Sequence, residues 1–243
     1  MPYRPGRRKG YGAMKKGDLK KQQILSAAED LFCRKGYEQT SIQEIIDRLR
    51  SSKGSFYHHF ENKEALLEGI CRNRAASIFR AAEDCYAKES SSVRRLDILL
   101  SGMIPLREER LSFLLMLLPV FSLPEGRTVR QYYCDALSDE FHASVSSVIR
   151  QGCQEGEMFC TDPENAASLV LFLVNRLWVQ ISDRIISDEK HHDEPDLSEC
   201  LRFTDSCRLC IERFLFLPYG SVGLTDFPAL RLLSDQIHNH WPE

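Results

Sequence analysis

Between Asp18 and Leu67 the chain carries one amphipathic run and then three helix-start signals, so closely spaced that only a cluster of short helices can satisfy them. Ile24, Ala27, Ala28, Leu31 and Phe32 recur at the i, i+3, i+4, i+7 spacing of an amphipathic helix, which places the first over residues 18 to about 35. Gly36 follows where a left-handed C-terminal cap is wanted. Ser41 and Glu44 then match a capping box, in which the serine oxygen and the glutamate carboxylate each satisfy a backbone amide that a helix start leaves orphaned. Ile42, Ile45, Ile46 and Leu49 share one side over barely two turns. Ser52 can cap a third, short helix carrying Phe56, Tyr57 and Phe60. Asn62 can cap a fourth and longer one, with Leu66, Leu67, Ile70 and Ile78 inward.

Beyond residue 90 the periodicity predicts helices near 92–103, 107–121, 127–154, 163–187 and 197–217. Pro105, Pro124 to Gly126, Gly152 to Asp162 and the polar stretch Asp188 to Asp196 separate them. The tail from Pro218 is richer in Pro and Gly and ends in one short helix around Ala229 to His238. Neither an alternating strand pattern of useful length nor an internal repeat is present. The expected fold class is therefore all-α: an N-terminal three-helix helix-turn-helix domain plus a larger helical domain. The expected divisions are a basic arm over 1–17, a helix-turn-helix domain over 18–78 with its motif at about 41–60, an effector-binding and dimerisation domain over 79–217, and an extension over 218–243.

Charge is distributed unevenly. Residues 1–60 hold 13 Lys and Arg against 6 Asp and Glu, whereas the remainder holds 19 against 29. A basic head on an acidic body suits a protein whose N-terminal end meets a polyanion. The most apolar stretch, Leu111 to Leu123, contains Pro119 and is too short to span a bilayer. The first residues are basic but lack the apolar region of a secretory signal, so a cytoplasmic location is expected and no membrane partner. Nine cysteines, an odd number, fit reduced thiols.

The second and third helices, at about 42–49 and 52–59 with Arg50-Ser51 between them, have the layout of a helix-turn-helix. A helix as short as 52–59 buries little, and its residues suit contact with something polar. Gly54 admits a close backbone, while Ser52, Ser55, Tyr57 and His58 offer hydrogen bonds to phosphates or base edges. Lys63, in the first turn of the next helix, adds a cation for phosphate.

Residues 20–67 resemble the tetracycline-repressor (TetR) family of bacterial regulators. They carry IL-x-AA-x-x-LF from Ile24, G-x-x-x-TS from Gly36, SKG-x-x-Y-x-HF from Ser52 and KE-x-L from Lys63, in order and at the family's spacing. The remainder is similar only in helical layout, with Gly152-x-x-x-Gly156 followed by an aromatic, and Asp162-Pro163-Glu164. The resemblance implies double-stranded DNA as partner, with Thr40, Ser52, Lys53, Tyr57 and Lys63 on phosphates. Ser55, His58 and Lys53 would lie nearest the bases. It also implies a homodimer, a palindromic operator, and an unknown small-molecule effector bound by the C-terminal half. Repression, rather than activation, follows from the same resemblance. Arg50-Ser51 stands where the family usually has Gly and an aliphatic residue, so a positive φ at Arg50 would cost on the order of 1 kcal/mol.

Leu169, Val170, Phe172, Leu173, Leu177, Trp178 and Ile181 cover most of the circumference of helix 163–187. Such a helix is buried on two sides, and with 197–217 it is the expected dimer element. Effector-pocket candidates are Phe113, Met116, Phe121, Tyr132, Phe172, Asn175, Arg176 and Trp178, where Arg176 on an apolar helix calls for an acidic partner. Cys200, Cys207 and Cys210 are expected to share one face, as a helix–helix seam or as the thiols of a redox-sensing regulator. His191 to Glu194 has metal-ligand residue types but reads as a solvated linker, so neither a metal nor a cofactor is expected. The basic arm before Met14 reads as a disordered tail, or else as one that reaches the minor groove. There is no P-loop, dinucleotide fingerprint or nucleophile elbow, and His142 with Asp139 has no evident serine partner, so no enzyme is expected. The rival to a DNA-binding regulator is a helical interaction protein that kept the fold without the DNA contacts.

Overall fold

The computed structural model describes residues 16–104, 126–190 and 197–240, and these are helical throughout apart from their connections. The expected helix at 107–121, with Phe113, Met116 and Phe121, lies outside the described residues, as do the arm before Met14 and the loop 191–196. The described helices are α1 (Lys16–Lys35), α2 (Ile42–Arg48), α3 (Lys53–Tyr57), α4 (Lys63–Tyr86), α5 (Ser92–Met103), α6 (Gly126–Glu155), α7 (Pro163–Lys190), α8 (Leu197–Phe214) and α9 (Phe227–His240). The chain divides into two compact units, Met1–Leu66 and Leu67–Glu243, with the boundary inside α4.

In the first unit the apolar spacing of α1 becomes a core of Ile24, Leu25, Ala28, Leu31 and Phe32, all buried, with Ala27 half-exposed beside them. Gly36 ends α1 at φ +88°, its amide donating to the Phe32 carbonyl. Ile45 and Ile46 of α2 and Phe56 of α3 complete this core. Ion pairs from Lys35 to Glu44 and from Arg48 to Asp30 link α1 and α2 at the surface.

The second unit is built around α6 and α7, its most extensively packed pair among the described residues. Tyr133, Leu137, Phe141, Val145 and Ile149 of α6 and Val170, Val174, Trp178, Ile181 and Ile185 of α7 are buried, spaced three or four residues apart as one helix face demands. Leu96, Leu99, Leu100 and Met103 of α5 and Cys200, Thr204 and Ile211 of α8 enclose them. At the centre, Asn175 donates to the Cys134 carbonyl (3.1 Å) and to Ser138 Oγ (2.9 Å), and it accepts from Trp178 Nε1 (3.1 Å).

Three expectations change here. Cys200 and Cys207 are buried but Cys210 is exposed: the step of three residues sets Cys210 about 60° round the helix from Cys207, and the rotation of the packed helix puts that edge in solvent. Burial pushes the Cys207 thiol up to about 12, which leaves it unreactive. Arg176 needs no buried acid, because it stands exposed beside Phe172, itself 65% exposed. Finally, His142 does have a serine neighbour. Its Nε2 lies 3.0 Å from Ser168 Oγ and its Nδ1 4.0 Å from Glu164, since antiparallel packing brings together residues 26 apart. The Ser168 hydroxyl lies 3.2 Å from the Glu164 carbonyl as a donor, and the Glu164 carboxylate pairs with Arg150, so this exposed group clamps α6 to α7.

Candidate nucleic-acid interface

The capping box at the start of α2 is complete. Ser41 Oγ accepts from the Glu44 amide (3.2 Å), and the Glu44 carboxylate accepts from the Ser41 amide (2.9 Å). The Lys35 ammonium and the Ser41 amide hold that carboxylate down to about 2. At the other end of α2, the Arg50 amide donates to Asp47 O and the Ser51 amide to Ile46 O, both at 3.0 Å, which is a Schellman closure. Arg50 occupies its left-handed position at φ +46°. Replacing Arg50 with glycine is expected to slow amide hydrogen exchange in α2 and α3 by roughly 0.5–1 kcal/mol of local stability, because the Cβ strain disappears. Arg50→Val should speed it, since a β-branched residue tolerates that φ worst.

Ser52, two residues after Arg50, caps the start of α3, its Oγ accepting from the Ser55 amide (3.2 Å). With five residues, α3 cannot stand alone and depends on its one buried side chain, Phe56. That anchor turns the opposite face outward. Ser52, Lys53, Gly54, Tyr57 and His58 are exposed and Ser55 half-exposed, so the hydrogen-bonding groups expected on this helix form one solvent-facing surface. A Cβ added at Gly54 would meet nothing within 4 Å, consistent with an open approach for a large ligand.

Two residues sit differently from the rest. Thr40 is 1% exposed, and its hydroxyl donates to the Gly36 carbonyl (2.9 Å), so the side chain closes the α1–α2 connection. Lys63 is held against that connection too. Its ammonium donates to the Glu38 carbonyl (3.3 Å) and lies 4.2 Å over the Tyr37 ring, and partial burial lowers its pKa. Near α3, desolvation lowers the pKa of His59, with His58, Lys21 and Lys20 adding to the effect.

Of the pocket candidates within the described residues, Asn175 and Trp178 meet through a hydrogen bond while the others stand apart from them. Asn175 and Trp178 are core, Phe172 and Arg176 face solvent, and Tyr132 is half-buried. A concavity of about 280 Å³ lies elsewhere, between the end of α5 and the start of α9, lined by Asp97, Ser101, Ile104, Leu224, Thr225 and Asp226 among others. Periodicity misses it because its walls belong to a turn and two helix ends. Among the described residues no group of His, Cys, Asp and Glu could hold a metal ion, and no helix is long and apolar enough to cross a membrane.

A short helix presented on a three-helix core after a tight αL turn defines a helix-turn-helix protein. Residues 24–70 match the family model for bacterial regulatory proteins of the tetR family. The HTH-type transcriptional regulator YerO of Bacillus subtilis is 32% identical over 121 residues, 47% of this chain and 40% of that protein. The chain spans less than half the length of the first curated relatives it matches. Two solved structures share the fold. A TetR-family regulator from Pectobacterium atrosepticum (TM-score 0.59, 14% identity) covers 85% of this chain and 100% of its own. A transcriptional regulator from Saccharomonospora viridis in complex with choline (TM-score 0.51, 20% identity) covers 82% and 98%.

Proposed function

We propose that this protein is a cytoplasmic DNA-binding transcriptional regulator, without enzymatic activity, that acts as a homodimer on a palindromic operator. The observation that carries the reading is the outward face of α3. Its side chains from Ser52 to His58 are held in place by a buried Phe56 and are largely unused within the unit. Ser52, Lys53 and Tyr57 would bind phosphates, while Ser55, His58 and Lys53 would reach base edges. Thr40 serves by bracing the turn. Lys63 would exchange the Glu38 carbonyl for a phosphate, a swap made easy because the bond is 3.3 Å long and the ammonium is already partly desolvated.

The dimer reading draws on α7, where Leu169 and Phe172 are 53% and 65% exposed on a stripe that continues to Arg176, while the opposite side is core. A second copy would bury those side chains and present two α3 helices about one DNA turn apart. The effector would bind in the unit Leu67–Glu243 and act through unequal affinity for the operator-bound and released conformations. That the protein is a repressor released by its ligand rests on the family resemblance alone.

The test is a titration of the full chain with the promoter region upstream of its own gene. The absence of any sequence-specific complex at moderate salt would overturn the reading. Two variants separate the roles of the contacts. Lys63→Ala is expected to weaken binding alike on all sequences and to lower the salt slope by about one. His58→Ala should relax preference at one position per half-site, at a cost of roughly 1–3 kcal/mol.

A further inference from the structure

Cys153 lies in the last turn of α6 and Cys160 in the connection to α7, and their sulfurs stand 3.6 Å apart. This approach is built by the turn. Gly156 takes φ +75°, and the Glu157 and Met158 amides both donate to the Gly152 carbonyl (2.9 and 3.1 Å), closing α6 and reversing the chain. Met158 is buried with its side chain directly over Gly152, 2.8 Å from where a Cβ would stand. The Phe159 amide donates to the Leu215 carbonyl (3.0 Å), and Asp162 accepts from the Glu164 and Asn165 amides at the start of α7. Every part of the segment between the two thiols is therefore anchored by backbone hydrogen bonds or by packing, and both thiols remain partly accessible.

We propose that Cys153 and Cys160 form a reversible intramolecular disulfide when the protein meets a hydroperoxide, stapling the end of α6 to the start of α7. A disulfide needs the sulfurs to close from 3.6 Å to about 2.05 Å, a movement that side-chain rotation supplies. Cys153, as the thiolate, attacks the peroxide. The O–O bond breaks, one oxygen leaves as water or alcohol with a proton, and Cys153 becomes a sulfenic acid. The Cys160 sulfur then attacks the sulfenic sulfur, the S–S bond forms, the S–O bond breaks, and hydroxide leaves as water with the Cys160 proton. Two thiols have lost two electrons to one peroxide. Desolvation, together with the neighbouring Cys153 sulfur, holds Cys160 up at about 11, which makes it the resolving thiol. An excess of a small thiol reverses the bond. The reversal at Gly156 is what brings residues 153 and 160 together.

Trypsin leaves both cysteines in one peptide, 151–176, because no Lys or Arg lies between Arg150 and Arg176. The reduced full chain is treated stepwise with hydrogen peroxide, alkylated, digested and weighed. The expected result is a 151–176 peptide lighter by two hydrogens and refractory to alkylation until a dithiol reductant is added. In Cys160→Ser, the Cys153 sulfur should instead carry sulfenic or sulfinic oxygen. The proposal is overturned if 151–176 is still alkylated at both sulfurs once the exposed Cys33, Cys85 and Cys210 have been oxidised. It is equally overturned if each of the two sulfurs gains oxygen independently in the wild type. The wild-type reading requires no variant to fold.

Discussion

Trp178→Ala is expected to destabilise the Leu67–Glu243 unit by about 3–5 kcal/mol, the range for truncating a fully buried tryptophan. The ring is 1% exposed, meets Tyr133 edge to face at a centroid distance of 5.6 Å, and donates its indole hydrogen to Asn175. Alanine would leave a cavity and an acceptor on Asn175 without its partner, in a site where the amide of that side chain is already committed to Cys134 O and Ser138. Against a total of roughly 5–15 kcal/mol for a folded domain, the loss is large. Trp178→Phe should cost about 1–3 kcal/mol less, because it keeps most of the apolar volume and forfeits chiefly the hydrogen bond. Urea unfolding followed by helical circular dichroism measures both, and a Trp178→Ala unfolding free energy within about 1 kcal/mol of wild type would refute the account.

Phe56→Ala should be as severe for the first unit, at about 3–5 kcal/mol, and it should also abolish sequence-specific DNA binding. The reason is geometric. In α3 the only buried residue is Phe56, whose ring lies 6.1 Å from that of Phe60 and 5.4 Å from that of Tyr57. Five residues gain too little from helix propagation to stay helical without that anchor. Phe56→Leu keeps an apolar plug and should cost below about 1.5 kcal/mol with repacking. Amide exchange over residues 53–60 tests this directly. Protection in Phe56→Ala equal to that in wild type would show that α3 is held by something other than its aromatic ring.

Much of the fold was legible because it rests on local physics. Ser41 and Glu44 satisfy each other's backbone within one turn, Gly36 takes the φ its neighbours cannot, and apolar residues at helical spacing select their own buried face. The start at Ser92 and the end at Met103 coincide with the expected ones for the same reason. The positive φ at Arg50 was anticipated by resemblance instead, because the family usually has Gly at that place.

What escaped the sequence depends on which helix faces which. Thr40 offers a hydroxyl at a position where DNA contact is expected by resemblance, yet the α1–α2 connection takes that hydroxyl for itself. The pairing of His142 with Ser168, the separation of Cys210 from Cys207, and the outward direction of Arg176 each follow from the rotation of a packed helix about its axis. Periodicity constrains that rotation only to within a residue or so.

The sequence alone therefore determined the described helices, their ends to within about three residues, and the surface of α3, since capping, turn chemistry and amphipathic spacing act over four or five residues. The tertiary structure alone decided which polar groups are spent inside the protein and which face outward, and it brought Cys153 to 3.6 Å from Cys160. Such pairings are set by chain reversal and side-chain packing between helices, interactions that no window of neighbouring residues contains.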